Sequence, residues 1–438
     1  MNNKVFFVNR SEIEGRLDPC FYALNLNVTN TEQLGKFIHI QGGKRLPKEF
    51  NYSLIPTNFL YFRVSDMTKY GEINFSQCHC ISQKVFEILQ RYELFNNDLV
   101  ISIAGTIGNI QIIKNIPNHQ KVILTENCAK ISIKKQADII PEFLSLVLNT
   151  NFVQQQIKAN SIQTTIPKLG LDKIQNLKIP QIPQKLKQEE IVCFFEYSLS
   201  QYKNKLTQSQ TLLNSISDYL LEKLGITVPQ VDNSLTKRTF LMASNQLDNR
   251  FDPEFYFHRK NKMTDGKFKN VLLEEIANLI KGTSLSSKNV IDGDYPVIAG
   301  GQTSPYNHYI YNFDGETITI SASGAYAGFV AYHDYPIFAS DCTVVKSTDN
   351  NTALTQYIFE ILKLKQNEIY RLQKGVAQPH VYATDLAKIK IPLPNMETQK
   401  DIVAHIKHIR GQAQNLQQQA TDLLQQTQNE IEKMILGN

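Results

Sequence analysis

The segment LVISIAG at residues 99–105 recurs as ITISASG at residues 318–324. Each copy is a run of apolar and β-branched residues that ends in glycine, a pattern typical of a buried strand followed by a turn. The recurrence indicates an internal duplication, because a fold that is repeated along a chain repeats its sequence signals.

Further blocks recur in the same order around this segment. They are RLDP (16–19) and RFDP (250–253), each followed after one residue by Phe-Tyr; LGKFI (34–38) with Gly43 and LEEIA (273–277) with Gly282; NCA (127–129) and DCT (341–343); IPKL (166–169) and QPHV (378–381); LKIP (177–180) and IKIP (389–392); QEEIV (188–192) and QKDIV (399–403). Because the order is kept throughout, we expect residues 16–180 and 250–392 to share one fold. Asp18 and Asp252 of the first block are expected to serve a turn or a helix cap rather than catalysis.

The residue pattern within each half predicts a mixed α/β fold. Short runs of β-branched and aromatic residues alternate with turn residues, as in 306–311, 317–321 and 329–332. Helical stretches are predicted between such runs, over 141–159 and 354–372.

A long amphipathic helix is predicted at the end of each half. The apolar positions are Ile191, Phe195, Leu199, Tyr202, Leu206, Leu213, Ile216, Leu220 and Leu224 in the first helix, and Ile402, Ile406, Ile409, Ala413, Leu416, Ala420, Leu423, Thr427, Ile431 and Met434 in the second. These steps of three and four residues form a heptad seam, in which Ser209 fills one gap. Since each helix has one apolar stripe, we expect the helices near 188–224 and 399–435 to pair as an antiparallel coiled coil about 50 Å long.

The predicted architecture is therefore two similar α/β domains in tandem, separated and joined by the two long helices and related by a pseudo-two-fold. The expected boundaries are 1–183 for the first domain, 184–226 for the central helix, 227–394 for the second domain and 395–438 for the C-terminal helix.

The composition leaves the class of partner open. The chain has 438 residues and a net charge of +5, a mild basic excess that permits a nucleic-acid partner without requiring one. The six cysteines form no CxxC pair, so we expect reduced structural thiols and no metal site. No signal peptide and no apolar stretch of about 18 residues is recognisable, so a cytoplasmic location away from membranes is expected.

Common enzyme motifs are absent from the sequence. It contains no GxxxxGK[ST], GxGxxG, HExxH or GxSxG motif, and no Asn/Asp-Pro-Pro-aromatic motif of amino-methyltransferases. We therefore expect no catalytic residues in this chain, although a site built from dispersed carboxylates would leave no such signal.

The doubled order of blocks resembles the specificity subunits of type I restriction-modification systems over essentially the whole chain. The phrases that carry the resemblance are GKRLPK (43–48), YFRVSDM (61–67) and DLVISIAGTIG (98–108) in the first half, and YPVIAGG (295–301) and PIFASDC (336–342) in the second. The resemblance implies two target-recognition domains, each reading one half of a split target in double-stranded DNA. It also implies helices that dock two methyltransferase subunits, which motor-nuclease subunits join for restriction. S-adenosylmethionine would then sit on the methyltransferase partner, and this chain would need no cofactor.

Candidate DNA contacts are polar side chains in loops near glycine turns. Basic residues can anchor phosphates or read guanine, whereas Asn and Gln suit adenine. The candidates are Lys44, Arg45, Lys48, Arg63 and Lys69 in the first half, and Gln302, Thr303, Tyr306, Asn307, His308, Lys374, Gln378 and His380 in the second.

Three other interpretations remain open at this point. A non-catalytic adaptor could use the coiled coil to hold two protein-binding domains. A fused restriction enzyme could carry an unrecognised catalytic site. The chain could also recognise DNA within a different restriction or phage-defence assembly.

Overall fold

The chain divides into two compact units. The computed structural model describes residues 30–68, 73–161, 167–229, 232, 234–244, 247, 252–260, 263–375 and 377–437. Unit 1 comprises Met1–Leu206 and Gln418–Asn438, and unit 2 comprises Thr207–Gln417. The first recurring block with Asp18, the Arg250-Phe251 pair, Ile166 and the candidate Lys69 lie outside the described residues.

Unit 1 contains two four-stranded sheets and a two-stranded ribbon. Its strands are β1 (Thr31–Gln33), β2 (Ile38–Gly42), β3 (Phe59–Phe62), β4 (His79–Cys80), β5 (Glu93–Leu94), β6 (Leu99–Ser102), β7 (Ile110–Ile112), β8 (Lys121–Leu124), β9 (Cys128–Ile133) and β10 (Lys178–Pro180). The antiparallel sheet has the order β2-β9-β6-β7, the mixed sheet has the order β4-β3-β8-β5 with β3 parallel to β8, and β1 pairs with β10. The helices are α1 (Gln83–Leu89), α2 (Pro141–Asn149), α3 (Asn151–Asn160), α4 (Leu171–Gln175) and the first part of the long helix α5 (Lys185–Leu224).

Unit 2 repeats this plan with one strand fewer in its mixed sheet. Its helices are α6 (Leu235–Arg238), α7 (Pro253–Lys260), α8 (Leu273–Ile276), α9 (Thr355–Leu364), α10 (Gln366–Tyr370), α11 (Ala383–Leu386) and the first part of the long helix α12 (Met396–Leu436). Its strands are β11 (Asn270–Leu272), β12 (Ala277–Lys281), β13 (Tyr295–Ile298), β14 (Asn307–His308), β15 (Thr317–Ser321), β16 (Val330–His333), β17 (Phe338–Ala339), β18 (Cys342–Ser347) and β19 (Lys390–Pro392). The sheet orders are β12-β18-β15-β16 and β14-β13-β17, and β11 pairs with β19.

The equivalent strands confirm the internal duplication. The two copies of the opening segment begin on β6 and β15, each the third strand of its antiparallel sheet. The parallel pairs of the mixed sheets match as well, with Phe62 opposite Leu124 and Ile298 opposite Ala339. The glycines that end the two segments adopt positive φ angles of 74° and 85°, which other residues rarely adopt.

The two long helices pair in antiparallel fashion within each unit, as predicted. In unit 1, Lys205 donates to the side chain of Gln419 at 2.8 Å, and Ile191 shares a core with Ile431. In unit 2, the hydroxyl of Ser209 donates to the Ala413 carbonyl at 3.0 Å, and the rings of Tyr219 and His405 lie 4.2 Å apart. The helices begin three residues earlier than expected and contain 40 and 41 residues, so each is about 60 Å long rather than 50 Å.

A buried glutamine joins each long helix to its α/β domain. The side chain of Gln188 donates to the carbonyls of Asp138 and Pro183 and accepts from the Ile140 amide. Gln399 makes the equivalent bonds in unit 2, donating to Thr352 and Pro394 and accepting from Leu354. Both glutamines are fully buried, and these bonds satisfy backbone groups that burial would otherwise leave unpaired.

The cysteines Cys128 and Cys342 occupy equivalent buried positions at the start of β9 and β18. Burial raises the pKa of both thiols to about 12, so they stay protonated at neutral pH. Such thiols pack as small apolar side chains and are poor nucleophiles, in agreement with the structural role expected for them.

Candidate nucleic-acid interface

The candidate residues of unit 1 lie on two loops that leave neighbouring strands. Lys44, Arg45 and Lys48 are exposed on the loop between β2 and β3, and Arg63 opens the loop between β3 and β4. We call the described residues of these two loops (43–58, 63–68 and 73–78), together with residues 125–127 between β8 and β9, loop cluster 1.

Gly43 brings the first of these loops close to the segment between β8 and β9. Its amide donates to the Cys128 carbonyl, and a Cβ atom at this position would lie 2.0 Å from the Thr125 carbonyl oxygen. Gly282 of unit 2 repeats both features, because its amide donates to Cys342 and a Cβ atom there would lie 2.1 Å from the Ser340 oxygen. Only glycine permits this crossing, which places Lys44 and Arg45 beside residues 125–127.

Arg45 forms an ion pair with Glu126 in loop cluster 1. Its Nε donates to Oε1 of Glu126 at 2.7 Å, and its side chain remains 78% exposed. Burial alone would raise the pKa of Glu126, but hydrogen bonds from Arg45, its own backbone, Thr125 and Tyr61 hold that pKa below its ordinary value. The Glu126 carboxylate is therefore charged at neutral pH.

Arg63 is held by a nearby carboxylate on its own loop. Its Nε and Nη2 donate to Asp66 at 3.2 and 2.9 Å, and Asp66 also accepts from the Arg63 amide at 2.9 Å. Arg45 and Arg63 line one cleft of about 380 Å³, whose walls include Tyr52, Tyr61 and Glu126. The structure therefore brings together two of the four described candidates of unit 1 around a polar and aromatic cleft.

Unit 2 carries its first group of candidates on the loop between β13 and β14, the counterpart of the loop that begins at Arg63. Gln302, Thr303 and Tyr306 are exposed on this loop, and Asn307 is exposed where β14 begins. The hydroxyl of Ser304 lies 3.0 Å from the Val297 carbonyl and 2.7 Å from the Tyr306 carbonyl, which closes the loop on its own strand.

His308 is the buried member of this group, with only 4% of its surface exposed. Asn307 and His308 form β14, and successive side chains of a strand point to opposite faces, so one is outside and the other inside. The ring of His308 packs against Phe338, and its Nδ1 lies 3.1 Å from the Ile291 backbone. A side chain in this position supports the loop from below and does not reach its surface.

The second group of unit 2 forms a narrow hairpin. Lys374 and His380 pair through two backbone hydrogen bonds of 2.9 and 2.8 Å, and Gln378 is exposed between them. The ammonium group of Lys374 pairs with Asp385 at 2.7 Å and lies 5.7 Å from the centre of the Tyr382 ring.

The hairpin and the loop between β13 and β14 meet at Ser323. The backbone of Ser323 bridges to His380, its hydroxyl donates to Asp341, and a Cβ atom on Gly300 would lie 2.6 Å from its carbonyl oxygen. We call this assembly, residues 299–306, 340–341, 374–375 and 377–380, loop cluster 2.

One basic residue was missed by the sequence analysis. Lys168 is exposed and bridges to Ala104 as His380 bridges to Ser323, so it occupies the His380 position of unit 1. The signal was present, because the blocks IPKL and QPHV align Lys168 with His380. Glu126 was also missed, and no local pattern marks it, since it lies 81 residues from Arg45.

The described part of the chain shows neither a metal-binding cluster nor a membrane-spanning helix. It contains no group of three or more His, Cys, Asp or Glu side chains arranged to hold a metal ion. None of the helices described combines the length and the apolarity that a membrane span requires.

The structure therefore contains two copies of one α/β unit, and each copy carries a loop cluster and one end of an antiparallel pair of long helices. A family model described as the type I restriction modification DNA specificity domain matches residues 29–218 and again residues 265–433. The chain therefore belongs to this family of type I specificity subunits, which are non-catalytic DNA-binding proteins. Membership decides against the protein adaptor and the fused enzyme, because the family consists of non-catalytic DNA specificity proteins.

Individual relatives agree with this family. The chain is 22% identical over 304 residues to a protein of Mycoplasma genitalium assigned as a type I specificity subunit, covering 69% of this chain and 71% of the relative. It is 29% identical over 161 residues to the type I restriction enzyme EcoBI specificity subunit of Escherichia coli, covering 35% of this chain and 33% of that protein. A solved structure concerning complex assembly and conformational transition of the type I R-M system shares the fold, with a TM-score of 0.55, 16% identity and coverage of 93% of this chain and 98% of the other.

Proposed function

We propose that this chain recognises a bipartite DNA target, with one half-site bound by each unit. The observation that carries the proposal is the duplication of the loop framework. Gly43 and Gly282 make the same crossing with equivalent backbone hydrogen bonds, and the loop that begins at Arg63 has its counterpart between β13 and β14. Two recognition surfaces on equivalent scaffolds suit a target with two half-sites, because each unit of a duplicated DNA-binding protein can bind one half-site of the same duplex.

The two loop clusters have different chemistry, which implies different roles for their residues. In unit 1, Lys44, Lys48 and Lys69 would anchor phosphates, and the two arginines border the cleft. In unit 2, Gln302, Thr303, Tyr306 and Asn307 would contact base edges, since amides match adenine and the apolar part of an aromatic ring can contact a thymine methyl group. Lys374, Gln378 and His380 would contact the same half-site from the hairpin, whereas His308 would only support its loop.

The long helices would hold the two recognition domains apart and dock two methyltransferase subunits, which motor-nuclease subunits join. Their length and continuous seams support this role, because a coiled coil is stiff and its register is fixed by its apolar contacts. In this proposal residues 1–183 and 227–394 are the recognition domains, and 184–226 and 395–438 are the connecting helices.

Methylome sequencing of cells that carry this chain and its partner methyltransferase tests the proposal. We expect one methylated motif of two defined half-sites separated by a spacer of fixed length and free sequence. The matched control is the Gln302→Ala, Asn307→Ala double variant, which should relax one half-site and leave the other unchanged. A continuous motif, or a motif that persists when this chain is deleted, would contradict the proposal.

A further inference from the structure

Arg45 is exposed to solvent and is also held by an ion pair. It is largely exposed to solvent, at 78%, yet its Nε is fixed on Glu126 at 2.7 Å. Its Nη1 and Nη2 make no hydrogen bond to any described residue, so the outer end of the guanidinium offers donors in a defined plane.

Hydroxyl groups of Thr125 and Tyr61 also hold the side chain of Glu126 in place. Its Oε2 accepts from the Thr125 hydroxyl at 3.0 Å, and the Tyr61 hydroxyl lies 3.2 Å away. That hydroxyl also lies 2.7 Å from the carbonyl oxygen of Lys44, the residue that precedes the arginine. Since Tyr61 is only 2% exposed, the carboxylate rests on the core of the domain and can orient Arg45.

The charge of this pair argues against a phosphate anchor. A carboxylate 2.7 Å from the guanidinium compensates its charge, and a phosphate approaching Arg45 would also approach Glu126. The neighbouring residues Lys44 and Lys48 are exposed and suit the phosphate role better. The ion pair instead fixes the orientation of the guanidinium, so that its Nη1 and Nη2 donors are exposed at the surface of loop cluster 1.

Guanine is the base that matches this donor. Its major-groove edge presents O6 and N7, two acceptors that a guanidinium can engage together. Arg63 is less suited, because both its Nε and its Nη2 already donate to Asp66.

Building on the proposed function, we infer that Arg45 reads a guanine in the half-site of unit 1 and that Glu126 is the positioning residue that orients it. Unit 2 has no equivalent pair, because Thr283 and Ser284 follow its glycine crossing where Lys44 and Arg45 follow Gly43. The guanine contact therefore belongs to one half-site only.

The test measures binding of the complex of this chain and its methyltransferase to DNA libraries in which each target position is varied. The wild-type complex should show a bipartite motif with a guanine in the half-site that survives the Gln302→Ala, Asn307→Ala substitution. Arg45→Lys keeps the charge but loses the fork, and should reduce the preference for that guanine about 10- to 100-fold. Glu126→Gln should weaken the same preference, with every other position unchanged.

Lys44→Ala is the matched comparison. It should lower affinity for all sequences alike and reduce the slope of log affinity against log salt by about one unit, whereas Arg45→Ala should leave that slope nearly unchanged. Thermal unfolding of each variant shows that the fold is retained.

The outcomes separate the two levels of the proposal. If the wild-type complex shows no bipartite motif, the proposed function itself is wrong. If the motif is bipartite but Arg45→Lys keeps full base preference, or Arg45→Ala lowers the salt slope as Lys44→Ala does, Arg45 is a phosphate contact and the inference fails. It also fails if Glu126→Gln alone alters the preference for a cytosine, since Glu126 would then be the reader.

Discussion

At the scale of single residues, the buried side chain of His333 makes the stability of the fold depend on pH. It lies on β16, is 5% exposed and shares a hydrogen bond of 2.8 Å between its Nε2 and the Thr319 hydroxyl. Its Nδ1 has no hydrogen-bond partner among the described residues. Burial lowers the pKa of His333 to about 4, against the opposing charge of Asp334. The imidazole is therefore neutral in the folded protein down to that pH.

We predict that His333 makes the protein less stable as the pH falls from about 6.5 to about 4. In this range the unfolded chain binds a proton at His333 and the folded chain does not, so protonation favours unfolding. The loss is on the order of 3 kcal/mol across the range. His333→Gln, which keeps a partner for Thr319 but cannot titrate, should flatten this part of the profile in chemical denaturation at several pH values. His408→Gln, at an exposed position on α12, is the control. Equal slopes for His333→Gln and wild type would refute the assignment.

At the residue scale, the sequence predicted exposed loops but not the contacts that their side chains make, and the DNA-binding role of the candidate residues stays a prediction. Gly43 and Gly282 align in the repeat, and the loops after Gly43 and after Gly300-Gly301 carry exposed polar residues as expected. The partner of Arg45 could not be predicted, because an ion pair between residues 81 positions apart depends on the tertiary fold. His308 could not be separated from Asn307 until the two-residue strand was known to pair with Tyr295 and Pro296.

At the scale of elements, the contact between α9 and α12 contains an ion pair that unit 1 lacks. Both oxygens of Glu360, which is 1% exposed, accept from the guanidinium of Arg410, and this group lies 5.3 Å from the centre of the Phe359 ring. Counting from the equivalent glutamines and their amide partners, the corresponding residues of unit 1 are Leu146 and Leu199. The duplicated fold thus has an ion pair in unit 2 where unit 1 has leucines at the two equivalent positions.

This comparison predicts the result of a double substitution. Arg410→Leu alone should destabilise the protein by about 3–5 kcal/mol, because it leaves a buried carboxylate unpaired. Glu360→Leu alone should cost less, since Arg410 is 36% exposed and can turn toward solvent. The double variant should lie within about 1 kcal/mol of wild type or above it, because apolar pairs commonly replace buried ion pairs without loss. Additive losses in urea denaturation would show that the leucine pair of unit 1 is not interchangeable with the ion pair.

The heptad seams were the most predictable elements, because their pattern depends only on the local spacing of residues along a helix. Steps of three and four residues place apolar side chains on one face of a helix, whatever that face later contacts. Ser209 belongs to the same seam although it is polar, and the structure explains it by the hydroxyl that donates to the Ala413 carbonyl. A polar group at one seam position fixes the register of the pair, which the apolar pattern alone leaves less defined.

At the scale of the whole molecule, the division into units runs through both long helices. The first segment of unit 1 ends at Leu206 and its second segment begins at Gln418. Each unit therefore contains one end of each long helix, together with the contacts between those ends. Lys205 with Gln419 belongs to unit 1, and Ser209 with Ala413 belongs to unit 2. The duplication was predictable from the sequence because the blocks keep their order, but this sharing of the helices between units required the structure.

The unit boundaries define where the helices can be lengthened without disturbing either unit. We predict that inserting four helix-forming residues after Leu206 and four after Gln417 preserves the helix contacts inside each unit. In the proposed function the helices set the distance between half-sites, and four residues add about 6 Å. At about 3.4 Å per base pair, that length corresponds to one or two additional base pairs in the spacer. Methylome sequencing should therefore show both half-sites unchanged and a longer spacer. An insertion after Leu206 alone is the matched control, and it should reduce methylation because it lengthens one helix of the pair and not the other. Full activity of the paired insertion with an unchanged spacer would mean that the helices do not set the spacing.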